Sequence, residues 1–138
     1  LSEICAAIGI SRSKVDMWIS RGRFSVSHDP DSGHARDWNA RDAFRLTIAS
    51  AISSARDGAV FDSILDYVSD NYSPGADKRY LIIFPIHMAS NAASCAWTCE
   101  LVDLERVGEI LNRVPTGCVI VDLMSVWTPV RDKLAEKF

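Results

Sequence analysis

The stretch GISRSKVDMWISRGRF (residues 9–24), followed by SVSHDPDSGHARDW (25–38) and NARDAFRL (39–46), decides how the first half of this 138-residue chain is read. Ser11 is placed to cap a helix, because its hydroxyl can accept from the free amides of a first helical turn. Ile10 just before the cap and Val15 four positions inside fit a hydrophobic staple, which fixes how the chain enters the helix. Gly9 can take the tight turn that breaks a preceding helix, and Gly22 can end the second one. Val15, Trp18 and Ile19 fall at helical spacing and are expected to face inward. Arg12, Ser13, Asp16, Met17 and Ser20 then face outward, with Lys14 and Arg21 at the flanks.

A shorter first helix is expected before this turn, with Ser2 as its cap and Ile4, Cys5 and Ile8 as its apolar side. After the second helix, Phe24 to Ser27 and Ala35 to Trp38 read as short extended runs. The segment HDPDSG between them is rich in turn residues, so the pair is expected to form a β-wing. Asn39 then caps a further helix, and Asp42 at its third position can reach back as a variant capping box. Ala43, Phe44, Leu46, Thr47, Ile48 and Ala51 give that helix a broad buried face.

In this order the residues resemble the winged helix-turn-helix DNA-binding domain of MerR-type transcription regulators. The likeness rests on Leu1, Glu3 and Ile4 in the first helix and on Gly9, Ile10 and Ser11 at the turn. It continues through Val15, Trp18, Arg21 and Gly22 in the second helix, then Arg36, Trp38, Asn39, Asp42 and Leu46 at the wing and after it. It spans about 50 residues. The resemblance implies double-stranded DNA as the partner, bound by a homodimer, with the second helix in the major groove and the wing on the backbone. On that footing Arg12, Ser13 and Ser20 are expected at base edges, and Arg21, Arg23 and Arg36 on phosphates, with Lys14, His28 and His34 as further contacts. The chain departs from the family pattern at Asp16 and Met17, where a basic residue and an aromatic are usual, and at Asp37, where a basic residue is common. The long C-terminal dimerising helix of the family is absent as well.

Composition sets outer bounds. With 48% apolar and 24% charged residues the chain is globular rather than disordered. Its apolar runs are too short to span a bilayer. Cys5, Cys95, Cys99 and Cys118 do not make a dense disulfide framework, which makes a reducing cytoplasm the expected location. Because the chain opens on Leu1 rather than Met, residues are expected to precede it, and no targeting segment can be read from its start. Residues 1–56 carry eight Lys or Arg against six Asp or Glu, while residues 57–138 carry seven against twelve. The sign of that split suits a DNA-binding head on an acidic body; its size is equally that of an ordinary solvated surface.

Two units are expected: a head over residues 1–72 and a small α/β dimerisation or sensing body over 76–138, divided at Ser73-Pro74-Gly75. The fold class is therefore α+β. Within the head, Asp57-Gly58 breaks the helix begun at Asn39, and Phe61, Ile64, Leu65 and Val68 mark another, ending near Asn71. The body reads β-β-α-β-α. Its parts are YLIIFP (80–85), a strand within Ser94–Val102, a helix capped by Asp103, CVIVDL (118–123), and a last helix from about Val126 to Lys137. So small a sheet needs its faces covered, and a second chain would do so. Tyr80, Phe84, Trp97 and Trp127 are the expected apolar surface for that pairing.

Other chemistry is thin. Cys95 and Cys99 lie four apart and would share one face of a strand with Trp97, where buried thiols behave as small apolar residues. His87 follows an apolar strand, and Asp122 is a lone carboxylate in one, which points to a hydrogen-bonded role. No nucleophile elbow, phosphate loop, dinucleotide fingerprint or paired zinc motif is present, so no catalytic, metal or cofactor residue is assigned and no enzyme is expected. Three functions stay open: a transcription regulator on a palindromic site, a DNA-architectural or recombination accessory protein like the phage excisionases, and a protein-interaction module whose head no longer binds DNA.

Overall fold

The computed structural model describes residues 1–27, 37–86, 96–113 and 117–136. Its elements run α1 (Ser2–Ile8), α2 (Arg12–Ser20), α3 (Ala40–Arg56), a single 3-10 turn (Asp57–Ala59), α4 (Asp62–Asn71), β1 (Tyr80–Ile86), β2 (Ala96–Val102), α5 (Leu104–Leu111), β3 (Val119–Asp122) and α6 (Leu123–Ala135). The α+β class and the β-β-α-β-α order of the second half are as the sequence implies. Local signals account for most boundaries. The Ser11 hydroxyl accepts from the Lys14 amide at 3.3 Å. Asn39 and Asp42 close a full capping box, and Asp103 caps α5 through the Arg106 amide. Gly9 ends α1 in the left-handed region at φ 84°, which a side chain would strain. Leu1, not Ser2, occupies the cap position of α1, and it makes no side-chain cap.

The sheet has order β2-β1-β3 with both pairings antiparallel. Strand alternation sends Leu81 and Ile83 to one face and Tyr80, Ile82 and Phe84 to the other. On the first face Leu81, Ile83, Leu101, Val119 and Val121 join a core with Leu46, Ile48 and Ile52 of α3, Leu65 and Val68 of α4, and Val130 of α6. On the second, Ile82 and Val102 pack with Val107 and Ile110 of α5, flanked by Tyr80, Phe84 and Cys118. Val15, Trp18, Ile4 and Cys5 belong to the first cluster too, so apolar packing runs unbroken across the Ser73–Gly75 turn.

This packing answers the argument that the sheet needs a second chain. Helices of the first half already cover the Leu81/Ile83 face. Trp127 meets Phe44 edge-on at 5.3 Å between ring centroids, and the Arg56 guanidinium lies 4.8 Å over the Trp97 ring. Both tryptophans are thus partly engaged inside the chain.

The last helix begins earlier than its apolar spacing implies. Asp122, the lone carboxylate of β3, is its cap, taking the Ser125 amide at 3.4 Å and the Ser125 hydroxyl at 2.8 Å. Arg79 donates to the same side chain at 2.9 Å. Partial burial works against ionisation of Asp122, but the Ser125 hydrogen bonds and the Arg79 charge outweigh it and hold the carboxyl below its ordinary value. A carboxyl depressed in the folded state stabilises above its unfolded pKa, and that contribution is lost as pH falls through the folded value. Asp122→Asn should therefore lower stability near neutral pH. The gap to the parent should narrow on acidification below about pH 4. Urea unfolding of both proteins from about pH 6 to about pH 3 reads this directly, and a gap that stays constant would refute it.

Candidate nucleic-acid interface

The side chains of α2 divide as its spacing implies. Val15 and Trp18 are fully buried, whereas Ser11, Arg12, Ser13, Asp16 and Ser20 are exposed. Met17 is the exception: it is partly buried and packs against the core rather than facing outward. At the end of the helix Gly22 adopts φ 68°, and the Arg23 amide returns to the Trp18 carbonyl at 2.9 Å. Arg21 sits at the C-cap and is exposed.

The basic residues assigned to DNA do not stand alike. Arg12 Nε lies 4.0 Å from Asp16 on the next turn, with both side chains more than half in solvent. A pair so exposed contributes little to stability. Lys14 Nζ lies 3.4 Å from Asp57 Oδ1 and 5.5 Å from the Trp18 ring. Arg23 Nη1 donates to the Asp57 carbonyl at 3.4 Å and stacks over Phe61. These two cations thus tie α2 to the turn after α3. The Ser53 hydroxyl donates to Asp57 at 2.6 Å and is the main cause holding its carboxyl below the ordinary value; slight burial opposes this, and Lys14 adds to it. The signal for this role was in the sequence as the Asp57-Gly58 helix break, but nothing local connects that break to a residue 43 positions away.

The segment after α2 is not a strand. Phe24–Ser27 and Asp37-Trp38 carry no strand pairing, and His28, His34 and Arg36 lie outside the described residues, as does the turn between the expected wing strands. Two backbone donors of this segment, the Ser25 and Ser27 amides, go to carboxylates. The Ser25 amide and hydroxyl give to Asp62 at 3.1 and 2.6 Å, and the Ser27 amide and hydroxyl give to Asp42 at 2.9 and 2.7 Å. Arg45 sits among these acids, 2% exposed. It bonds Asp62 and the Ser25 carbonyl, lies 3.1 Å from Asp66 and 3.8 Å from Asp42, and stacks 5.0 Å over Phe24. One guanidinium thereby fastens the α2 exit to α3 and α4, using the planar, multiply donating geometry that lysine lacks. Its helix periodicity reads as buried, yet it was passed over as a core position because arginine is seldom found there.

Among the described residues, the thiols join no group of metal-ligating side chains. Burial pushes Cys5 and Cys99 up, away from the thiolate form that binds metals. Cys95 and His87 lie outside the described residues. Among the described residues, no group of three or more metal-ligating side chains converges and no helix is long and apolar enough to cross a membrane. No protein-family model matches the chain, and no curated protein matches it.

Proposed function

We propose that this chain is a non-enzymatic, double-stranded-DNA-binding transcription regulator that reads the major groove with α2. The supporting observation is the division of that helix. Val15 and Trp18 anchor it in the core, while Arg12, Ser13 and Ser20 form an exposed polar face behind a glycine turn and a serine cap. A rigidly anchored helix with short polar side chains and a guanidinium on its free face suits base-edge readout. Arg21, Arg23 and Arg36 hold phosphates in this reading, with Lys14, His28 and His34 beside them. The protein acts as a homodimer on a palindromic site. With the Leu81/Ile83 face covered, the exposed large apolar side chains that suit self-pairing include Ile120 of β3, Met124 of α6 and Leu104 of α5, Leu104 at 68%.

Selection of bound fragments from random DNA tests the reading. Arg12→Ala should cost ~1–3 kcal/mol on the selected site and relax preference at one base, while Arg36→Ala should weaken all sequences alike and lower the salt slope by about one. If both variants bind like the parent, the groove assignment is wrong. Tandem direct sites with strong bending would favour an architectural protein instead. A second reading, a protein-interaction module, is favoured by the engagement of Arg12 with Asp16 and of Lys14 with Asp57. Absence of salt-sensitive DNA binding would select it.

A further inference from the structure

A cavity of about 440 Å³ lies between α1, the start of α3 and the C-terminal half of α6. Its size falls within the range of small-molecule sites, roughly 300–1,000 Å³. Ile4, Trp38, Ala43, Trp127 and Leu134 wall it, and Arg131 is the ionisable side chain among the described residues that line it. We propose that it binds a small organic acid with a flat apolar body, an aryl or aryl-alkyl carboxylate.

Two observations fix that class. The walls are indole and aliphatic surface, and one indole is braced: Trp127 is held edge-on by Phe44 at 84°. A braced aromatic wall meets a flat ligand without first being ordered. The polar side has a single sign. Arg131 spends Nε and Nη2 on one oxygen of Asp132, at 3.1 and 3.0 Å, which leaves Nη1 outside that pair. The opening turn of α3, through Asn39 and Ala40, borders the same space and brings the positive end of a helix dipole to it. Among the described residues, no carboxylate lines the cavity. An anion there meets the Arg131 guanidinium and the first turn of α3, whereas a cation, though drawn to the indole faces, would be opposed by that guanidinium.

The inference does not rest on the DNA reading, and its test contains no DNA. Phenylacetate is titrated into the full chain while tryptophan emission is followed, because Trp38 and Trp127 both face the ligand. Saturable binding is expected at roughly millimolar or better, with phenylacetamide at least tenfold weaker. Arg131→Gln should abolish that preference for the acid. Ala135→Phe, which fills the cavity from an exposed position on α6, should abolish binding; Ala40→Phe serves the same purpose from α3 should the first variant fail to fold by circular dichroism. The proposal is overturned by any one of four results: no saturable signal with phenylacetate, equal affinity for acid and amide, a preference that survives Arg131→Gln, or binding that survives the folded cavity-filling variant.

Discussion

Trp18→Ala should lower stability by ~3–5 kcal/mol and the melting temperature by roughly 10–20 °C. The indole is fully buried, with Val15, Phe24 and Leu46 in the same core cluster, and alanine would leave a cavity in that packing. Because this cluster extends to the sheet and to α6, the loss should appear as one shifted transition for the whole chain, not as early melting of the first 72 residues. Trp18→Phe should cost much less. Phenylalanine keeps most of the apolar contact and deletes an indole N–H that has no acceptor among the described residues. Thermal unfolding followed by far-ultraviolet dichroism distinguishes these outcomes. A Trp18→Ala protein with parental stability would mean that the indole is not a core group.

Arg45→Met should be comparably damaging, at ~3–5 kcal/mol, and for a different reason. Methionine fills much of the space but leaves Asp42, which is fully buried, and Asp62 without their counter-charge. Arg45→Lys restores the charge without the fork and should recover only part of the loss. Urea unfolding of the three proteins is the measurement, and a methionine variant within ~1 kcal/mol of the parent would show that the acids are solvated well enough to need no partner.

Much of the scaffold was legible because its signals are local. Ser11, the Asn39–Asp42 box and Asp103 announce helix starts within four residues of themselves, and the β-branched and aromatic run YLIIFP announces a buried strand. What was not legible depends on pairs far apart in the chain. Ser25 and Ser27 read as strand residues because their neighbours Phe24 and Val26 alternate with them, yet their amides find Asp62 and Asp42 rather than a strand. The spare apolar surface assigned to Trp97 and Trp127 is partly taken up for the same reason, since Arg56 and Phe44 lie more than 40 positions upstream. Lys14 and Arg23 carry the charge that a phosphate contact requires, and only the placement of Asp57 reveals their second engagement.

Asp42 has a consequence for what can be done to this chain. One of its oxygens takes the Ser27 amide and hydroxyl, and the other takes the Asn39 amide at 3.2 Å. The segment between Ser27 and Asn39 is therefore cinched at its base by a single carboxylate that belongs to neither end. Ser27 and Asn39 thus answer to one side chain, so that a change at Asp42 is felt at the exit of α2 and at the cap of α3 together.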